Sequence, residues 1–122
     1  MAKRILSVSY DESLLATRQL LLAYRGYVVT STLGFMDAIE QSKTNSFDLF
    51  ILGHSIPISD KQELIRTFRQ YCSAPILSLD RAGESDVNSD FHVAANDPEQ
   101  FLKKVAEVVS ADAKRNNVTP SG

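Results

Sequence analysis

The sequence predicts an α/β fold, a doubly wound sheet of five parallel strands with helices on both faces. Three observations carry this. Short runs rich in apolar and β-branched residues alternate with longer amphipathic stretches. Their order is strand-helix-strand-helix-strand-helix-strand, then a short linker, a strand and a helix. This order fits a parallel sheet with right-handed crossovers. A length of 122 residues with 43% apolar content suits one domain built on one core.

Taken in order, Ile5–Ser9 (ILSVS) reads as a buried strand. Asp11–Arg25 reads as a helix with Asp11 or Ser13 as cap and Leu14, Leu15, Leu21 and Leu22 as its apolar side. Gly26 suits the left-handed position that ends it. Tyr27–Thr32 (YVVTST) reads as the second strand, and Phe35–Lys43 as a helix with Phe35, Ala38 and Ile39 on one face. Asp48–Leu52 is the third strand. Asp60–Tyr71 follows as a helix capped by Asp60, with Leu64, Ile65 and Phe68 inward. Pro75–Leu79 is the fourth strand and Phe91–Ala94 the fifth. Asp97–Ala111 is the last helix, with Asp97 as cap, Pro98 at the first helical position, and Phe101, Leu102, Val105, Val108 and Val109 as its stripe. The expected domain is 1–110, and 111–122 reads as a polar, disordered tail or linker stub.

Composition narrows the function. Thirteen basic residues against fifteen acidic ones give a net charge of −2. A nucleic-acid backbone demands a basic footprint, so nucleic acid is not expected as a partner. Cys72 is the only cysteine, which rules out an intrachain disulfide and a cysteine-based zinc site. Met1–Tyr10 lacks the apolar run of a signal peptide, and no stretch is long enough to span a membrane. A cytoplasmic location, no membrane partner and no cofactor are therefore expected. No glycine-rich phosphate loop, Ser-His-Asp arrangement or zinc spacing is present, and the chain is not expected to be an enzyme.

The phrase FDLFILGHSIP at Phe47–Pro57 joins an apolar strand to a polar turn, and reactive groups in open parallel sheets gather at such strand ends. It resembles the third strand of a response-regulator receiver (CheY-like) domain, usually D-L-I-[IL]-L-D-x-x-M-P. ILSVSYDE resembles the family's first strand and acidic turn, RGYVV its second strand, APILSL its fourth strand, and NDPEQFLKKV the start of its last helix. The likeness covers roughly Lys3–Ser110 and implies a flavodoxin-like fold. It also implies a phosphotransfer pocket: an acceptor aspartate, two acids that help hold Mg²⁺, a Thr or Ser after the fourth strand and a Lys after the fifth.

The sequence departs from that pattern at each place. The acidic pair falls on Ser9 and Tyr10, leaving only Asp11 acidic. The acceptor falls on Gly53, which has no side chain to phosphorylate. The hydroxyl position falls on Asp80, which would repel a phosphoryl group, and the Lys-Pro pair falls on Ala94 and Ala95. Ser9, Tyr10, Asp11, Gly53, His54, Asp80 and Ala94 are therefore expected to form a degenerate pocket. Ten residues between Asp80 and Phe91, with few apolar ones, leave the fourth helix shortened or absent, a loop or one turn.

Other residues allow sharper and plainer readings. His54 reads as a loop histidine, with phosphate acceptor or metal ligand as the sharper role. Asp11, Asp80 and His54 could converge on a divalent cation, though Asp11 is equally a cap and Asp80 equally a surface partner of Arg81. Asp48 lies at the opposite end of its strand, Cys72 reads as a small core residue, and His92 as an ordinary strand residue. Leu20, Leu21, Leu22 and Tyr24 read as a broad core stripe, with an exposed patch as the alternative.

Two functions follow. The first is a two-component-type receiver that is not phosphorylated at the usual site and works as a protein–protein interaction module. Its partner would be a histidine kinase or another regulator, and a homodimer is allowed. Nothing after Ser110 reads as an output domain, so a stand-alone adaptor is expected. The alternative is a phosphorylated single-domain regulator with a displaced acceptor at Asp11 or Asp80, or an atypical cation site. A remoter option is an unrelated flavodoxin-like module with a small ligand over Gly53.

Overall fold

A computed structural model describes residues 2–81 and 88–117, with side chains through residue 110. The elements run β1 (Arg4–Ser9), α1 (Glu12–Tyr24), β2 (Val28–Leu33), α2 (Phe35–Thr44), β3 (Leu49–Leu52), α3 (Ile58–Tyr71), β4 (Ile76–Asp80), β5 (Phe91–Ala94) and α4 (Pro98–Asn117). The strands form one parallel sheet in the order β2-β1-β3-β4-β5. This is the flavodoxin-like order, whose switch point lies between β1 and β3.

Alternation along the central strands builds two cores. Leu6, Val8, Phe50, Leu52 and Ile76 point to α2 and α3, where they meet Ala38, Leu64, Ile65 and Phe68. Ile5, Leu49, Ile51, Leu77 and Leu79 point to α1 and α4, where they meet Leu22, Phe101, Val105, Val108 and Val109. Phe50 stacks on Phe68 with ring centroids 4.3 Å apart. These strands are buried on both faces, so the sheet's carboxyl edge is held rigidly.

Local chemistry sets the helix ends. The Asp11 carboxylate accepts the Leu14 amide at 3.1 Å, and Asp97 accepts the Gln100 amide at 3.0 Å. Gly26, at φ 90°, follows the Arg25 cap of α1 in the left-handed conformation. Three expectations need correction. Asp60 does not cap α3, because the helix starts at Ile58 after Pro57, and Asp60 lies in its first turn. Leu20 and Tyr24 are exposed, so the core stripe of α1 is narrower than read, resting on Leu15, Arg18 and Leu22. Finally, α4 continues past Ala111 to Asn117. Ala113, Lys114 and Arg115 favour helix, and no glycine or proline intervenes before Pro120.

Among the described residues no helix stands between β4 and β5. The loop or single turn expected there falls largely on residues 82–87, which lie outside the described residues, as do residues 118–122 of the expected tail. Among the described residues no helix is long and apolar enough to cross a membrane.

Candidate functional site at the carboxyl ends of the strands

Parallel pairing brings Ser9, Gly53, Asp80 and Ala94 to the same edge of the sheet. There the turn after β1 is stitched to the loop after β3. The buried Ser9 hydroxyl receives the Asp11 amide at 3.0 Å and lies 3.1 Å from the Ser55 hydroxyl, which accepts the Tyr10 amide at 2.9 Å. The Tyr10 phenol donates to the Asp60 carboxylate at 2.8 Å. Burial first, then this hydrogen bond and the Asp60 charge, push the Tyr10 phenol well above its ordinary value.

Gly53 follows β3, and its amide donates to the Val8 carbonyl at 2.9 Å. Its φ is not positive, so backbone conformation does not explain the glycine. Space does. A Cβ on residue 53 would lie 2.7 Å from Arg18 Nη1, 3.1 Å from the Val8 carbonyl and 3.5 Å from Ser9 Cβ. Arg18 reaches this place from α1, where it takes the core-facing position between Leu15 and Leu22. It is only 6% exposed, and Nη1 has no hydrogen-bond partner among the described residues.

Arg18 Nη2 lies 3.2 Å from His54 Nδ1. A guanidinium only donates, so this bond requires an unprotonated Nδ1 and a neutral His54 with its proton on Nε2. Burial lowers the affinity of His54 for a second proton. The charges of Arg18, Arg81 and Lys61 lower it further, and Asp11 partly offsets them. Burial also lowers the Arg18 guanidinium from its ordinary value, again partly offset by Asp11.

A second cluster joins α3, β4 and β5. Lys61 is fully buried, and its ammonium donates to Ser78 Oγ and the Leu79 carbonyl, both at 2.9 Å. It lies 3.6 Å from Asp80 Oδ1, which also accepts the Ser78 hydroxyl at 2.8 Å. Asp80 Oδ2 meets His92 Nδ1 at 2.6 Å, and His92 Nε2 lies 3.0 Å from the Ser89 hydroxyl. Asp80 is therefore not a surface partner of Arg81. It is 9% exposed, at the last position of β4. His92 is more than an ordinary strand residue, since it closes this chain. The expected pocket residue Ala94 is exposed and carries no polar group, and its strand partner is Asp80.

The structure thus brings Ser9, Tyr10 and Asp11 to the loop after β3, and Gly53 and His54 to Arg18. It leaves Asp80 in a separate group with Lys61 and His92. Asp11 is occupied as a helix cap. Among the described residues no three His, Cys, Asp or Glu side chains come together to hold a metal ion. Asp48 sits at the far end of β3 and accepts the Arg4 amide at 2.8 Å, and the half-buried Cys72 thiol points to the Phe47 carbonyl at 3.6 Å. Sequence reading missed Arg18, Lys61 and His92. For the first two a signal was available: Arg18 and Lys61 interrupt apolar stripes, Leu15-Arg18-Leu22 and Lys61-Leu64-Ile65-Phe68.

No protein-family model matches the chain, and no curated protein matches it. Solved structures do. A CheY-like response regulator receiver domain from Methanospirillum hungatei superposes with a TM-score of 0.81 at 18% identity, over 94% of this chain and 99% of that one. A complex of the histidine kinase ThkA with the response regulator TrrA contains a chain that matches with a TM-score of 0.74 at 20% identity, over 87% and 97%. The receiver domain of a sensor histidine kinase from Pseudomonas aeruginosa, solved with a magnesium ion in its active site cleft, gives 0.73 at 16% identity, over 90% and 99%. The chain has the fold of these receiver domains.

Proposed function

We propose that the chain is a receiver-type signalling module that is not phosphorylated at the usual site and acts by protein–protein contact, without catalysis, in the cytoplasm. The observation that carries this reading is Arg18 packed against Gly53. An acceptor aspartate needs room for a side chain and for an incoming phosphoryl group. Here a guanidinium already occupies that space, its Nη1 2.7 Å from where the Cβ of residue 53 would lie.

The magnesium ion held by the P. aeruginosa neighbour calls for hard oxygen ligands, usually carboxylates. Ser9, Tyr10 and Gly53 supply no carboxylate, Asp11 caps α1, and Arg18 adds positive charge. The residues present do not fit that ion. The carboxylates that a displaced acceptor would use are also engaged: Asp11 holds the Leu14 amide, and Asp80 holds Ser78, Lys61 and His92.

Signalling would then depend on which partner is bound. The ThkA–TrrA neighbour supports a histidine kinase, or another regulator, as the kind of partner. Amide NMR spectra recorded with and without a small-molecule phosphoryl donor and Mg²⁺ test the reading. The strand-end residues Ser9, Gly53, His54 and Asp80 should not shift. Mg²⁺-dependent shifts of these residues with the donor would count against it.

A further inference from the structure

We infer that Ser89 is a site of acyl modification, with His92 as its base and Asp80 as the residue that positions the base. The inference is independent of the state of Gly53, and it adds to the module one covalent mark per chain, without turnover. Ser89 precedes β5, His92 stands on β5 and Asp80 ends β4. His92 is the strand partner of Ser78, and Ser78 and Asp80 lie on one side of β4, so the pleat turns the imidazole toward the Asp80 carboxylate. Three side chains are thereby linked, Ser89 Oγ to His92 Nε2 at 3.0 Å and His92 Nδ1 to Asp80 Oδ2 at 2.6 Å. A hydroxyl becomes a nucleophile when a base lies within hydrogen-bond reach and a third group orients that base, whatever their order along the chain.

The hydrogen bonds assign the parts. A carboxylate only accepts, and Asp80 lies 3.6 Å from the Lys61 ammonium, so Nδ1 of His92 carries a proton. In the neutral ring Nε2 then turns its lone pair to Ser89. The Ser89 hydroxyl also reaches the Phe91 carbonyl at 3.1 Å. Of these two acceptors only the imidazole is basic enough to keep the proton. Asp80 is buried, whereas Ser89 is half-buried and the His92 side chain is 31% exposed, so a reagent in solvent meets the nucleophile and the base. The next residue, Asp90, fixes the turn: its amide donates to the Ile76 carbonyl at 3.0 Å, and its carboxylate accepts the Ile76 amide at 2.8 Å. On the other side of Ser89, Asn88 helps line a groove of about 310 Å³ with Gln62, Ile65, Arg66 and Arg69, which offers room for the rest of the reagent. The matching donor is an activated carboxylic ester. Ser89 Oγ bonds to the acyl carbon, the bond from that carbon to the ester oxygen breaks, and the serine proton passes through Nε2 to the departing oxygen.

Incubation of the full chain with p-nitrophenyl acetate, followed over time by peptide mass mapping, tests this. Acetyl should accumulate on Ser89 at least about a hundredfold faster than on the exposed Ser46 of the same chain. His92→Gln should remove most of that advantage, with circular dichroism confirming the fold. In the wild type, imidazole nitrogen resonances at the labelling pH should place the His92 proton on Nδ1. Three outcomes would overturn the inference: Ser89 labelled no faster than Ser46, a rate indifferent to His92→Gln, or a proton on Nε2 at the labelling pH.

Discussion

Arg18 stands where a side chain on Gly53 would have to begin: its Nη1 lies 2.7 Å from the Cβ position of residue 53. The two residues come from different elements and are adjacent only because β1 and β3 are neighbours in the sheet. Substituting Gly53→Ala forces Arg18 and the Val8 carbonyl to give way, which should cost about 1–3 kcal/mol. In an Arg18→Met background the same substitution should cost less, with a coupling of at least about 0.5 kcal/mol in a urea-unfolding cycle. Additive costs would separate the two residues.

Arg18→Met alone should leave stability unchanged or raise it by about 1 kcal/mol. The substitution keeps an unbranched, apolar side chain among Leu15 and Leu22. It removes a buried nitrogen that has no partner among the described residues. His54 loses one hydrogen bond, but it is partly exposed and water can replace the donor. Urea denaturation measures the sign directly.

The Lys61–Asp80 pair should respond in the opposite way. Asp80→Leu removes a carboxylate 3.6 Å from a fully buried ammonium and should destabilise by about 3–5 kcal/mol. Lys61→Met with Asp80→Leu should be more stable than Asp80→Leu alone, because the buried ammonium that faced the lost carboxylate is then gone as well. A double variant as unstable as the single one would mean that the hydrogen bonds to Ser78 and Leu79, not the charge pair, hold α3 to β4.

His54 should titrate below its ordinary value of 6.5, chiefly through burial and then through Arg18, Arg81 and Lys61. The unfolded chain takes up this proton near pH 6.5 while the folded chain resists it. The contribution of neutral His54 to stability is therefore complete above pH 6.5 and falls as the pH drops below that value. In Arg18→Met the midpoint should rise but stay depressed, since burial remains. Imidazole proton resonances followed from pH 4 to 8 report both midpoints.

Tyr10 should behave as the alkaline counterpart. Burial, the Asp60 hydrogen bond and the Asp60 charge all hold its phenol neutral beyond its ordinary value of 10.0. Its contribution is complete below pH 10 and is lost as the pH rises further, because the unfolded chain then releases the proton first. Ultraviolet titration should show a late-titrating phenol that is absent in Tyr10→Phe. At neutral pH that variant should lose about 0.5–1.5 kcal/mol.

The sheet and its helices were legible because period-2 and period-3.6 patterns are local. β5 coincides with the run Phe91–Ala94 that its sequence suggests, and Asp11 and Asp97 cap their helices as their spacing implies. The start of α3 was misplaced because Asp60 looks like a cap, yet Pro57 can precede a helix and free Asp60 for Tyr10. Two charged members of the site were hidden for another reason. Arg18 and Lys61 occupy core positions that apolar periodicity assigns to Leu or Ile. Only the pairing of strands shows what their charged ends meet. His92 was unreadable locally, since its partner Asp80 lies across the β4–β5 register.

The most direct test of a phosphorylation-independent module is the intact mass of the chain after incubation with a small-molecule phosphoryl donor and Mg²⁺. The mass of the wild type should stay unchanged at every donor concentration that fully modifies a competent receiver run in parallel. A Mg²⁺-dependent gain of one phosphoryl group would contradict it, and loss of that adduct on replacing Asp11, Asp80 or His54 would name the acceptor.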